Sequence, residues 1–434
     1  MLLRSYATLS EFINQVFGTE WKLPIYSFGF FVALAFLSAG WILYIELKRK
    51  ESKGLFQPVK EKFIVGEPAK PMELLINGII GFLLGFKIGG IITDSTTFSD
   101  NPQLYIFSAQ GNIVGGLIGA AIMVFLRWRE KNKQKLDKPK EKIVDIYPHH
   151  RVGDFIVIAA IFGIIGAKMF SNFEEPDGWK DFFRNPLQNF FSGLTIYGGL
   201  LLGAAAIIWF AWRKKINVLH LGDAVAPGLI LAYAVGRIGC QVAGDGDWGI
   251  LNSAYISTPE TKIELALPGD YEKTVFEHKD YYISEFKNLD NVPKAYFKAP
   301  SFLPKKLVAQ NYAYNVNNEG AYIDGCETGW CSQLPVAVFP TPLYEIIMSL
   351  IIFGILWFLR KRIAIPGMIL ALYVIFNGVE RYFIEKIRVN NLLTFMGIEA
   401  SQATFISVAF ILCGLVMVVV FRRMDKKTIT KPRS

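Results

Sequence analysis

Histidine and cysteine are scarce in this chain, with four of each in 434 residues. Four cysteines are too few for a disulfide framework. The histidines (His149, His150, His220 and His278) lie away from the polar clusters described below, so a histidine base is not expected. No set of residues has metal-ligand spacing, and neither a metal nor a cofactor is expected. The first residues lack the apolar stretch of a signal peptide, because Arg4 is followed by Ser, Thr, Glu and Asn. Residues 94–110 contain no Lys or Arg, and 171–192 are acidic on balance.

Apolar and aromatic residues are plentiful. The chain is 52% hydrophobic and 14% aromatic, with mean hydropathy +0.32, which fits an integral membrane protein. Nine apolar runs of roughly 17–23 residues predict membrane spans, at about 25–47, 73–93, 111–127, 153–170, 193–212, 223–240, 342–359, 365–384 and 402–421. The net charge of +9 comes from short Lys/Arg clusters after spans one, three, five, seven and nine. That alternation predicts an external N-terminus and a cytoplasmic C-terminus. It assigns the basic clusters to topology and anionic lipid rather than nucleic acid.

The fold expected is therefore an all-α polytopic membrane protein. Residues 1–24 form an external segment, 25–240 six spans, 241–341 a signature turn with an external subdomain, 342–421 three spans, and 422–434 a basic tail. Cys326 and Cys331 fall in the subdomain, where the compartment and their spacing suit a disulfide. Residues 73–127 and 153–212 read as a duplicated two-helix unit. Gly85-Phe86-Lys87 and Gly115-Gly116-Leu117 correspond to Gly166-Ala167-Lys168 and Gly198-Gly199-Leu200. Both copies run in the same direction, unlike the inverted repeats of many transporters.

Polar residues gather at the predicted outer ends of the spans. Arg237 opens the stretch Gly236-Arg237-Ile238-Gly239-Cys240-Gln241-Val242-Ala243-Gly244-Asp245-Gly246-Asp247-Trp248-Gly249. An arginine at membrane depth pairs, lines a cavity or binds something, and the glycines allow close backbone approach. Arg381, Glu385 and Arg388 share one helix face at i, i+4 and i+7. Tyr344 and Glu345 open span seven, Tyr197 stands beside Gly198 and Gly199, and Tyr26 opens span one. Arginine suits bidentate phosphate binding, so the convergence points to a site for a phospholipid headgroup.

The signature stretch resembles that of the prolipoprotein diacylglyceryl transferase family, usually Gly-Arg-x-Gly-Asn-Phe-x-Asn-x-Glu-x-x-Gly. Pro340-Thr341-Pro342-Leu343-Tyr344-Glu345, Asn377 to Arg388, Tyr197-Gly198-Gly199-Leu200 and Met396-Gly397…Gln402 resemble further segments of that family. Three features depart from the pattern. Cys240 replaces an Asn, Asp245 or Asp247 stands for the Glu in a segment one residue longer, and Tyr197 replaces a His. Members usually have seven spans, and the duplicated pair at 73–127 supplies two more.

The resemblance implies transfer of a diacylglyceryl group from phosphatidylglycerol to the lipobox cysteine of a preprolipoprotein. The setting would be a bacterial cytoplasmic membrane, with the site towards its outer, periplasmic face. It implies catalytic positions at Arg237, Arg381, Tyr197, Glu385, Asp245 and Asp247. It implies lipid-binding positions at Arg237, Tyr26, Arg388, Gly198, Gly199, Cys240, Gly249, Tyr344 and Glu345. A lipid or anion transporter or channel, or a catalytically weakened member, are the alternative readings.

Overall fold

The computed structural model describes residues 4–21, 25–94, 105, 108, 110–175, 177–184, 186–189, 195–326, 329–389, 392–395 and 398–430. Its longer helices are α1 (Leu9–Phe17), α2 (Ser27–Ser52), α3 (Pro71–Thr93), α4 (Ile113–Lys133), α5 (Val152–Glu174), α6 (Ile196–Arg213) and α7 (Val218–Ala243). They continue with α8 (Asp270–Glu277), α9 (Lys279–Phe286), α10 (Thr341–Leu359), α11 (Met368–Glu385) and α12 (Gln402–Thr430). Each of the nine predicted spans is largely helical. Among the described residues, six helices are long and apolar enough to cross a membrane: α2, α3, α5 with the turn before it, α7, α10 and α12. The remaining three are α4, which carries five charged residues from Arg127 to Lys133, the short α6, and α11 with Glu380, Arg381 and Glu385.

The chain divides into two compact units, residues 47–218 and residues 1–46 with 219–434. The division runs through the predicted 25–240 region.

Within residues 47–218, α3 meets α4 and α5 meets α6 at glycine-lined crossings. A Cβ added to Gly89 of α3 would lie 2.9 Å from the Gly115 Cα of α4. One added to Gly199 of α6 would lie 2.9 Å from the Gly163 carbonyl oxygen of α5. Gly198 likewise faces Gly166 and Phe170. Absent side chains let the helix backbones touch, which is how membrane helices gain packing energy. Lys87 donates from Nζ to the carbonyls of Tyr105, Ser108 and Gln110 at 2.7, 2.7 and 2.8 Å, tying the connection back to α3.

The all-α expectation needs correcting, because short sheets accompany the helices. Strands β1 (Val59–Val65) and β2 (Lys140–Ile146) pair antiparallel, with Val59 opposite Ile146 and Val65 opposite Lys140. Charged and apolar residues come in blocks in both strands (Lys60 to Lys62 then Phe63 to Val65; Lys140 to Lys142 then Ile143 and Val144), and both strands are largely exposed, so period-two alternation gave no strand signal.

In the other unit, β3 (Leu251–Ser257) pairs with β4 (Ile263–Leu265), β5 (Lys294–Ala295) and β8 (Val336–Val338). Leu251, Tyr271, Val275, Tyr282, Leu334 and Val336 form a core between this sheet and helices α8 and α9. β6 (Ala321–Tyr322) and β7 (Ser332–Gln333) pair antiparallel, and Cys326 and Cys331 between them are joined in a disulfide. A last hairpin, β9 (Leu392–Phe395) with β10 (Ile398–Ser401), leads into α12. Met396 and Gly397, which carry one of the resemblances, lie outside the described residues, as do Gly193 and Leu194 at the start of the predicted 193–212 span.

The N-terminal segment is laced to the end of α7 and to the 311–316 stretch. Tyr6 N–H donates to the Val242 carbonyl and Ser5 N–H to that of Ala313, both at 2.7 Å. Thr8 then caps α1, whose Glu11 side chain reaches back to the Ala7 N–H at 3.1 Å.

Candidate active site

The site is built where α7 ends, α10 begins and α11 ends. Past Ala243 the chain must turn sharply, and Gly244 (φ 65°) and Gly246 (φ 92°) adopt the left-handed conformation that this turn requires. Gly249 is fixed by contact instead. Its N–H donates to the Phe339 carbonyl at 2.8 Å, and an added Cβ would lie 2.9 Å from Thr341 Cγ2. Ile250 N–H donates to the Ile387 carbonyl at 2.9 Å, and Thr341 Oγ1 to that of Asp247 at 2.6 Å. The signature turn is thereby stitched to both neighbouring helices.

These stitches line up an alternating chain of charges. Arg388 and Arg237 donate to the two carboxylate oxygens of Asp247. Arg237 Nε lies 3.0 Å from Glu345 Oε2. Arg381 pairs with Glu345 at 3.4 Å and with Glu385 at 3.1 Å. The order Arg388, Asp247, Arg237, Glu345, Arg381, Glu385 is three cations alternating with three carboxylates. Arg237 is 9% exposed and Glu345 fully buried. Burying these groups is tolerable only because each has an opposite charge in contact.

Burial pushes the Asp247 carboxyl up, but the charges of Arg237 and Arg388 outweigh it and hold Asp247 below the usual carboxylate range. Asp245 goes the other way. Burial raises it, and the Asp247 charge adds to the rise. The Cys240 sulfur lies 3.6 Å from Arg237 Nη1 and 3.7 Å from Asp247 Oδ2. Cys240, Asp245 and Asp247 bring one ligand atom each within 4.8 Å of one another. Because both Asp247 oxygens already hold guanidiniums, the counter-charge a cation would bring is present, and the cluster does not suit a metal.

The other predicted positions separate. Tyr344 donates its hydroxyl to the Leu307 carbonyl at 2.6 Å. Tyr26 pairs in a β-bridge with Thr8 and sets its ring 6.2 Å from that of Trp330. Tyr197 lies half-buried in the first turn of α6, in the 47–218 unit, beside the packing glycines Gly198 and Gly199.

Two further residues, not among the positions expected from the sequence, join the cluster. Tyr233 donates to Glu345 Oε1 at 2.7 Å and lies under Arg237, whose Cζ is 5.1 Å from its ring centre. Its place four residues before Arg237 on one helix was the available signal. Glu380 is 1% exposed, and neither carboxyl oxygen has a hydrogen-bond partner among the described residues. It precedes Arg381 directly, and only burial singles it out.

Apolar helices long enough to cross a membrane, with paired arginines gathered where α7 ends, α10 begins and α11 ends, define a polytopic helical membrane protein with a built polar site. A family model described as Prolipoprotein diacylglyceryl transferase matches residues 138–420, and the chain belongs to that family. Similar proteins are named phosphatidylglycerol–prolipoprotein diacylglyceryl transferase. The one from Streptococcus uberis is 27% identical over 311 residues, 71% of this chain and 88% of the relative. That of Streptococcus suis is 28% identical over 321 residues, covering 73% and 89%. That of Bifidobacterium adolescentis is 28% identical over 288 residues, covering 63% and 67%. Helices α3 and α4 precede the residues matched by the family model.

Proposed function

We propose that this chain transfers the diacylglyceryl group of phosphatidylglycerol to the lipobox cysteine thiol of preprolipoproteins. A C–S bond forms, the glycerol C–O bond to phosphate breaks, glycerol phosphate leaves, and the thiol gives up its proton. The observation that carries this reading is the alternating charge chain in a member of this family. Charge grows on the departing phosphate as its C–O bond breaks, and preplaced guanidiniums stabilise it without reorganisation. Arg237 and Arg381 fill that role, with Arg388 beside them.

The arginines of the six-membered chain are already matched one to one by its carboxylates, so phosphate takes the place of one of them. Asp247 is the carboxylate that yields. Its side chain is 27% exposed, whereas those of Glu345 and Glu385 are nearly sealed, and its two oxygens occupy positions that phosphate oxygens would take. Glu345 and Glu385 stay behind and hold Arg237 and Arg381 in place. Asp245, raised above the usual carboxylate range, is the better proton acceptor for the thiol, since Asp247 is held low by its arginines. Tyr197 positions lipid.

The finer topology belongs to the same proposal. Nine spans run with the N-terminus outside and the C-terminus in the cytoplasm, supported by basic clusters after alternate spans. The charge chain then faces the outer side of a bacterial cytoplasmic membrane.

The test uses the purified chain in vesicles containing phosphatidylglycerol, with a lipobox peptide whose mass is followed. Wild type should add one diacylglyceryl group per peptide. No mass gain from correctly folded protein would defeat the enzyme reading, and full activity in Arg237→Ala would defeat the residue assignment.

A further inference from the structure

The stretch 291–318 contains no Asp or Glu, yet holds Lys294, Lys298, Lys305 and Lys306. Among them stand aromatics that the fold turns outward, with Phe302 82% and Tyr296 70% exposed and Phe297 also exposed. The backbone behind them is pinned. Buried Asn252 accepts from the Phe297 N–H at 3.1 Å and donates to its carbonyl at 3.0 Å, while the Tyr255 hydroxyl accepts from the Ala299 N–H at 2.9 Å. Ala299, Leu303 and Leu307 pack inward on Ala254, Tyr255 and Val308. Phe302 lies within the turn closed by Leu303 N–H and the Pro300 carbonyl. One edge of the loop thus belongs to the core, and the other presents rings and ammonium groups to the outside.

The height of the loop follows from Tyr344. Nineteen residues of α10 span about 28 Å, close to the thickness of a bilayer core. Its first turn therefore lies at the membrane boundary, and Tyr344 holds Leu307 there.

We propose that residues 294–306 form an interfacial anchor that rests on an anionic lipid surface. The aromatic rings enter the headgroup layer and Lys298, Lys305 and Lys306 pair with lipid phosphates. The proposal rests on the reading that the chain works on phosphatidylglycerol, because that lipid makes the adjoining leaflet anionic. The anchor would hold the subdomain of residues 250–338 against the surface from which lipid enters.

Hydrogen exchange of the full chain in nanodiscs tests this without requiring turnover. Discs of phosphatidylcholine alone are compared with discs that also contain phosphatidylglycerol or phosphatidylserine. Amide exchange across 296–306 should slow by about tenfold in either anionic disc. Combined Lys298→Glu, Lys305→Glu and Lys306→Glu should abolish that slowing while β3 amides keep their protection. Equal exchange in all three discs would overturn the anchor. So would slowing that appears only when a lipobox peptide is added, which would assign the loop to the peptide. Lipid-dependent slowing in a chain without transferase activity would keep the anchor and overturn only the enzyme reading.

Discussion

The two ends of α7, α10 and α11 both bury charge, but they do so differently. At the end opposite the candidate site, Asp223 accepts from the N–H groups of Gly367, Ile369 and Leu370 at 2.9, 2.9 and 3.1 Å, capping the start of α11. Arg360 Nε donates to fully buried Glu46 at 2.8 Å and its guanidinium stacks on Trp357. These are compact arrangements, each charge answered by partners fixed to packed helices. The site end instead shares its charges along a chain of six groups, keeps Asp247 partly open, and leaves Glu380 without a hydrogen-bond partner among the described residues. A closed pair serves folding. A shared chain with one open member can exchange that member for a ligand.

The closed end should show the largest stability effect. Arg360→Ala takes the guanidinium away from fully buried Glu46 and should lower unfolding free energy by about 3–5 kcal/mol, seen in detergent thermal scans, while activity per folded molecule holds. An equal loss of specific activity would dissolve the distinction between the ends. Arg237→Ala is the counterpart. Transfer to a lipobox peptide should fall about 10²–10³-fold, from protein that still folds with Asp247 held by Arg388.

Asp247→Asn sharpens the contrast further. Removing the resident anion should lower the apparent KM for phosphatidylglycerol roughly tenfold, the effect of about 1.4 kcal/mol, with kcat changed less. A raised KM would show that Asp247 holds the arginines for the lipid rather than occupying its place.

Asp245 gives a pH signature. Its folded pKa is raised, so its contribution to stability is fully present below the unfolded value of about 3.9 and is lost as pH rises through the folded value. Asp245→Asn should therefore melt higher than wild type at pH 8, and the gain should vanish towards pH 4. The smallest effect is expected from Glu380→Gln. It should leave stability unchanged or raise it by up to about 1 kcal/mol. A clear destabilisation would mean that the Glu380 carboxylate has a charge partner in the membrane.

Long apolar runs were enough to find the six helices that can cross a membrane, because a bilayer demands long apolar runs whose backbone bonds close internally. The glycines at the close crossings of α3 with α4 and α5 with α6 were equally legible, since only glycine and small residues permit such contacts. The strands β1 and β2 were not, because pairing residues some 80 positions apart is a tertiary event. Arg237, Glu345, Arg381, Glu385 and Arg388 stood out as charges at the ends of apolar runs, which is where the sequence carries its strongest signal.

Sequence by itself therefore determined which groups are charged, which runs are apolar and which family motif joins them. Only the tertiary structure decided their partners. It set Asp247, rather than Asp245, between Arg237 and Arg388, enlisted Tyr233 to hold Glu345, and buried Glu380 beside Arg381. Pairing depends on how three helix ends meet, and that meeting is fixed by hydrogen bonds from Gly249, Ile250 and Thr341 across segments distant in the chain.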